Sequence, residues 1–444
     1  EERLGTDRML PLVLRMAMPS VAAQIVNLLY NLVDRIYIGH IPGIGTDALA
    51  GIGVTGAIII LISAFSAIVS GGGAPLAAIA LGQGDRKRAG QTLGNGFVLL
   101  LIFTFLTTTL TYLFMEPLLM FTGASENTVG YAKDYLSIYL LGTLFVETSV
   151  GLNTFINTQG RPAIAMYSVL IGAVLNIILD PIFIFVMGMG VRGAALATVI
   201  SQACSALWIV SFLTSKRASL RLEFRYMRPD RNVISHILAL GVSPFIMAST
   251  ESLVGFVLNS SLEKFGDINV SALAIMQSAM LVVSVPLAGF AQGFVPIVSY
   301  NYGHGDRNRV KECFKIVLAI MFTFNFVLVL FMVLFPSLVA AAFTTDEVLI
   351  STVCRAMPMF LCGMTIFGLQ RTCQIMFVAL GQAKVSVFIA LLRKVILLIP
   401  LALLLPKYMG VMGVYAAEGI SDATAAILCT LIFAYQFPRI LRRM

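Results

Sequence analysis

The stretch "APLAAIALGQGDRKR" (residues 74–88) returns later in the chain as "VPIVSYNYGHGDRNR" (residues 295–309). The two stretches align without a gap, and a proline, an aspartate and an arginine fall at matching positions in both. The matched pairs are Pro75 with Pro296, Asp85 with Asp306 and Arg86 with Arg307. Agreement at such spacing indicates that the chain contains two copies of one structural unit.

Two further blocks repeat with nearly the same offset. "DALAGI" (47–52) aligns with "VSALAI" (270–275), and "GVRGAALA" (190–197) aligns with "GVMGVYAA" (410–417). Each copy holds six apolar stretches, an even number, so both copies run through a bilayer in the same direction. Such halves are related by an axis along the membrane normal and commonly rock about a site between them, which favours a transporter over a receptor.

The composition places these apolar stretches in a membrane. Of the 444 residues 58% are hydrophobic and only 12% are charged, whereas a soluble domain carries about one quarter charged residues. We therefore predict an all-α polytopic membrane protein with twelve transmembrane helices in two six-helix lobes. The predicted spans are 11–39, 48–72, 90–115, 129–159, 162–187, 193–214, 237–264, 270–302, 311–337, 347–380, 384–405 and 411–435.

The repeat also sets the predicted domain boundaries. Residues 1–215 form the N-terminal lobe, 216–235 a basic cytoplasmic linker, and 236–444 the C-terminal lobe. Most lysines and arginines lie on one side of the predicted spans, so the positive-inside rule puts both termini in the cytoplasm. Because the basic residues cluster in short loops between spans, the net charge of +8 does not indicate a nucleic-acid partner.

No motif for a cofactor or a resident metal is present. The six cysteines form no CxxC pair and most lie in apolar runs, where they act as small hydrophobic residues. No GxxxxGK phosphate-binding motif occurs either. Energy for transport is therefore expected to come from an ion gradient, and the chain is not expected to be an enzyme. We also expect it to act as a monomer.

The first span carries polar residues on one helical face. Asn27, Asn31 and Asp34 are spaced four and three residues apart, so they share a face. Pro19 precedes them and removes one backbone hydrogen bond, which weakens the helix there. Two plainer interpretations remain open: Asp34 forms an interfacial ion pair with Arg35, and the asparagines are interhelical contacts.

The fifth and sixth spans supply a second polar group. "VLNIILDPIFIF" (174–185) places Asn176 and Asp180 one turn apart in an otherwise apolar run. Pro181 biases Asp180 away from helical geometry, and Thr198 adds a hydroxyl. An ionised aspartate costs about 2.5–3.5 kcal/mol at a bilayer centre, so one placed there marks a functional site. Together with Asp34, these hard oxygens suit a proton or a small hard cation.

The second half carries different charges. Glu251 lies deep in the seventh span, and Glu418 and Asp422 are one turn apart in the twelfth. A Glu418 and Asp422 pair facing Arg371 or Arg393 would be a structural ion pair, whereas Glu251 has two interpretations, a cation site and a polar interhelical contact.

Several motifs together resemble the MATE (multidrug and toxic compound extrusion) transporters over nearly the whole chain. The DinF-like branch is the most similar, because it pairs a first-span proline and aspartate with a fifth-span aspartate. The motifs are "MPSVAAQIVNLLYNLVDRIYIGH" (18–40), "GQGDRKRAGQ" (82–91), "LNTFINTQGRP" (152–162), "LNIILDP" (175–181) and "GVRGAALAT" (190–198).

The resemblance implies roles for particular residues. Pro19 would mark a helix that bends on protonation, and Asp34, Asn176, Asp180 and Thr198 would form an N-lobe site for H+ or Na+. Glu251 is similar to an acidic residue of the NorM-like branch, which also uses a tenth-span aspartate where this chain has Arg371. Further candidates for substrate or second-lobe contacts are Asn27, Asn31, Asn153, Glu251, Gln277 and Arg371.

The resulting functional prediction is a multi-pass antiporter of the cell membrane. It would export amphipathic, often cationic small molecules in exchange for H+ or Na+ by alternating access. The alternative is a lipid-linked oligosaccharide flippase of related architecture, which the second-half arginines favour and the acidic N lobe opposes.

Overall fold

The computed structural model describes residues 1–444 and confirms the all-helical prediction: 87% of the residues are helical and none lie in strands. Ten helices are long and apolar enough to cross a membrane, and two further helix pairs, bent by 60° and 42°, bring the number to twelve. We number them α1 to α12. Their bounds are Met9–Gly39, Gly45–Gly82, Arg86–Leu113, Val129–Leu141 with Thr143–Thr158, Pro162–Val186, Val191–Thr214, Arg231–Glu263, Asp267–His304, Arg307–Leu334, Glu347–Leu361 with Gly363–Ala379, Ala383–Met409 and Val411–Arg442.

The duplicated "GDR" turns have the same structure in both lobes. Gly84 and Gly305 adopt left-handed backbone angles, with φ of 77° and 83°, which glycine reaches at little cost. The next residue, Asp85 or Asp306, caps the following helix by accepting a hydrogen bond from the backbone N–H three residues on, at 3.0 and 3.1 Å. These turns therefore end one span and start the next, as helix caps do.

The two lobes exchange the beginnings of their first helices. The largest buried cluster consists of C-lobe residues together with Leu4 and the start of α1, including Met9, Met16 and Ala17. Reciprocally, Val233 and Ile237 at the start of α7 belong to an N-lobe cluster. Each lobe is thus anchored to the other through the first turns of one helix.

Small residues bring the lobes together at the end of the molecule that carries both termini. A side chain at Gly293 of α8 would collide with the backbone of α1 at Ala17, and one at Gly72 of α2 would collide with Gly241 of α7. Arg309 also reaches the N-terminal segment and donates hydrogen bonds to the carbonyls of Leu4 and Asp7 at 3.0 and 2.9 Å. The lobes are therefore closed against each other at this end.

Two local expectations differ from the structure. Asp180 stays helical, because α5 runs through Pro181 and the disturbance is taken up by a π-helical turn at Ile182–Val186. The seventh span, predicted as 237–264, also starts earlier than expected, since α7 begins at Arg231 within the predicted linker 216–235. Before that point the linker packs on the N lobe, where the backbone N–H of Leu220 donates to the Gln159 side chain at 3.2 Å.

Candidate functional site

The four predicted cation-site residues meet in the N lobe between α1, α5 and α6. The Asn176 amide donates to Asp180 Oδ2 at 3.1 Å, and the Thr198 hydroxyl lies 3.3 Å from Asn176 Oδ1. Asp34 reaches both Asn176 and Asp180 from α1. Asp180 is fully buried and Asp34 is 8% exposed, so the structure places the two carboxyl groups together out of solvent.

The two carboxyl groups lie within hydrogen-bonding range of each other. Ionised carboxylates only accept hydrogen bonds, so a bond between them requires a proton on one of them. In addition, Asp34 Oδ1 and Asp180 Oδ1 are buried without any hydrogen-bond donor. No arginine or lysine forms an ion pair with either aspartate, so the interfacial pair between Asp34 and Arg35 is wrong.

Two tyrosines of this site were missed in the sequence. Tyr30 lies near Asp34 and Asp180, and its hydroxyl is 3.4 Å from the Gln202 amide nitrogen. Tyr135 of α4 lies near Asp34 and Thr198. Tyr30 is four residues before Asp34 on the same helical face, a spacing that would have identified it. Nothing in the sequence pattern singles out Tyr135.

The set of donors and acceptors defines what the site can bind. Free carboxyl oxygens, an amide oxygen and hydroxyls are hard ligands that suit a proton or a small cation such as Na+. A buried pair of carboxyl groups with no basic partner favours a bound positive charge. The arrangement can therefore hold a proton or a small hard cation.

The other polar residues of the N lobe lie outside this cluster. Asn31 is exposed and its amide donates to the Asn27 carbonyl within α1 at 2.9 Å. The Asn153 amide donates to the Ala165 carbonyl at 3.0 Å and to Ser168 Oγ at 2.7 Å, which joins α4 to α5. Their assignment to substrate contacts stays a prediction.

The C lobe buries its carboxylates beside cations. Arg393 of α11 donates to Asp422 of α12 at 2.6 Å and lies 3.8 Å from Glu418, while the Lys394 ammonium is 3.7 Å from Glu418. The expected structural ion pair is thus present, and its partner is Arg393. Arg371 lies near Arg393 and Glu251 without an ion pair, Glu251 is exposed, and Gln277 is half-buried on α8.

Comparison with known sequences gives one family match and several relatives. Residues 19–182 and 244–404 match the family model described as MatE. The multidrug export protein MepA of Staphylococcus haemolyticus is 23% identical over 420 residues, which cover 95% of this chain and 92% of that protein. MepA of Staphylococcus aureus is 26% identical over 322 residues, covering 72% and 70%.

Comparison with solved structures gives the same fold. A crystal structure of MATE in the bent conformation superposes with a TM-score of 0.92 at 24% identity, covering 100% of this chain and 98% of that one. A multidrug resistance MATE family transporter of the MOP superfamily in an outward-facing conformation gives 0.89 at 24% identity, covering 97% and 96%. These similarities establish the fold and its two-lobe architecture.

Proposed function

The chain belongs to the MatE family, and from that premise we propose that it is a secondary antiporter that exports amphipathic, often cationic compounds in exchange for a cation. Family membership supports a membrane transporter rather than an enzyme. The named export activity of the MepA relatives supports drugs as the substrate class. A place in the DinF-like branch, a monomeric state and cytoplasmic termini remain part of this proposal.

The observation that carries the proposal is the buried Asp34 and Asp180 pair, neither of which forms an ion pair with a cation. This pair binds the coupling ion, H+ in the first place because the two carboxyls lie within hydrogen-bonding range, and Na+ as the other ion that the oxygens suit. Substrate and coupling ion favour different states of the protein, so binding of one lowers the affinity for the other.

Helix α1 connects this site to the lobe interface. Its second half carries Asp34 against α5, while its first half belongs to the C-lobe cluster through Met16 and Ala17. A change of protonation at Asp34 therefore acts on the helix whose other end holds the lobes together. Pro19 lies between the two halves, where the helix bends most readily. Rocking of the lobes would then alternate access to the cleft.

The flippase alternative receives less support from the C lobe. A phosphate-binding cavity needs free cations, whereas Arg393 and Lys394 lie beside Asp422 and Glu418. Only Arg371 remains without an ion pair among the basic residues of this cluster.

The test is dye transport in proteoliposomes under an imposed proton gradient and, separately, a sodium gradient. Asp180→Asn should abolish gradient-driven movement of ethidium, because the amide cannot exchange a proton. The matched control Asp267→Asn changes an exposed aspartate of α8 and should transport like the wild type. The gradient that drives the wild type identifies the ion, and undiminished transport by Asp180→Asn would overturn the proposal.

A further inference from the structure

A third carboxyl group lies buried in the N lobe outside the aspartate pair. Glu147 belongs to the second half of α4, Thr143–Thr158, and only 1% of its surface is exposed. Both of its carboxyl oxygens are inaccessible to solvent, and neither has a hydrogen-bond partner. It forms no ion pair. An ionised carboxylate in such a place is strongly disfavoured.

The polar neighbour of Glu147 is Ser66 of α2. The Ser66 hydroxyl donates to the Ser63 carbonyl at 2.7 Å, and Glu147 forms no hydrogen bond. Glu147 therefore has neither a cation nor a hydrogen-bond donor that would stabilise an ionised carboxylate, so its surroundings suit the protonated form.

A row of tyrosines leads from Glu147 to the aspartate pair. Tyr139, near the end of the first half of α4, lies near Glu147. Its ring stacks on that of Tyr135 one turn earlier, with centroids 6.1 Å apart, and Tyr135 in turn lies near Asp34. Both tyrosines are buried. No charged group near Glu147 comes from the other helices that pack on the Thr143–Thr158 half of α4. These helices are α2, α3, α5, α6 and α8.

The bend in α4 creates this arrangement. The two halves meet at Gly142 at an angle of 60°, and a side chain at Gly142 would collide with Val199 of α6. The break therefore lets α4 pack closely on α6 while Tyr139 and Glu147 approach each other across it.

We propose that Glu147 is a second proton-binding site of the N lobe, connected to the Asp34 and Asp180 pair through Tyr139 and Tyr135. The site takes a proton and no metal ion, since neither carboxyl oxygen of Glu147 has a polar partner and no cluster of metal-ligating side chains surrounds it. It gives the lobe a capacity for more than one proton per transport cycle. This inference rests on the proposed proton coupling, which it extends with a store for an additional proton.

The first test is infrared spectroscopy of the purified full-length chain. A protonated carboxyl group gives a C=O stretching band that an ionised one lacks. Glu147→Gln should remove one such band from the wild-type spectrum, whereas the matched control Glu126→Gln, at an exposed position, should remove none. An unchanged band in Glu147→Gln would show that Glu147 holds no proton and would overturn the proposal.

The second test examines whether Tyr139 connects Glu147 to the aspartate pair. It also tests the proposal if Glu147→Gln fails to fold. Tyr139→Phe keeps the ring and removes the hydroxyl, so the Glu147 band should persist while its exchange in deuterated water slows several-fold. Exchange at the wild-type rate would show that Tyr139 is not on the path.

A transport measurement separates this inference from the proposed function. Proton release on binding of tetraphenylphosphonium should be lower per bound cation in Glu147→Gln than in the wild type. A wild type that releases no protons would refute proton coupling, even with the Glu147 band present. Release from the wild type with an equal amount from Glu147→Gln would refute the role of Glu147 alone.

Discussion

The two lobes bury their carboxyl groups in opposite ways. In the N lobe Asp34 and Asp180 lie together and neither forms an ion pair, whereas in the C lobe Asp422 accepts a hydrogen bond from Arg393 at 2.6 Å. In the proposed function, carboxyls of the first kind would hold an exchangeable positive charge, whereas those of the second kind are neutralised by a cationic side chain of the same protein. The repeat thus preserves the architecture while only one copy carries a fixed ion-pair cluster.

Removing Arg393, the cation of the C-lobe ion-pair cluster, should have the largest effect on stability. Arg393→Met leaves Glu418 beside Lys394 and leaves Asp422 without an ion-pair partner, and breaking a buried pair by removing one partner costs about 3–5 kcal/mol. Because Arg393 is 14% exposed, we expect the lower end of that range. Thermal unfolding of the purified protein in detergent measures the loss.

The control is Arg192→Met at an exposed ion pair with Asp134, which should cost less than about 1 kcal/mol. Equal thermal midpoints for Arg393→Met and Arg192→Met would mean that the C-lobe cluster does not stabilise the fold.

Aspartate-to-asparagine substitution should lower thermal stability in the C lobe and should not lower it in the N lobe. Asp422→Asn removes a charged hydrogen-bond acceptor from Arg393 and should destabilise the protein by about 1.5–3 kcal/mol. Asp180→Asn replaces a buried carboxyl that has no cation, so its thermal midpoint should equal or exceed that of the wild type. Unfolding curves of the two variants, recorded side by side, give the comparison. Destabilisation of both by the same amount would contradict the difference between the lobes.

The sequence indicates which residues could form the aspartate site because their signal is local. A carboxyl group in an apolar run is visible without a structure, and the one-turn spacing of Asn176 and Asp180 places both on one face. The same local signal marks Glu147 in "LGTLFVETSVGL" (141–152). The expectation that Asp180 departs from helical geometry was wrong, because a π-helical turn after Pro181 accommodates the proline. The residue pattern does not reveal this turn.

What the sequence could not predict depends on packing between distant helices. The choice of Arg393 over Arg371 as the partner of Asp422 is set by how α11 faces α12. Likewise, Tyr135 and Tyr139 reach the site because α4 bends at Gly142, and a glycine in an apolar run does not specify an angle. Local patterns therefore identify which residues are costly to bury, and tertiary contacts decide which of them are paired.

The smallest expected effect distinguishes α1 from α7, the two helices whose first turns pack on the opposite lobe. Pro19 and Pro244 each follow a segment that packs on the opposite lobe, and each leaves the carbonyl four residues earlier without its helical partner. Only α1 continues to a carboxyl group of the Asp34 and Asp180 pair. Pro19→Ala should therefore lower the rate of gradient-driven dye transport a few-fold without loss of thermal stability, since alanine restores the helical hydrogen bond.

Pro244→Ala, the matched control in α7, should transport at nearly the wild-type rate. Equal slowing by both variants would show that bending of either helix limits the cycle, and that the aspartate pair gives α1 no special part in it.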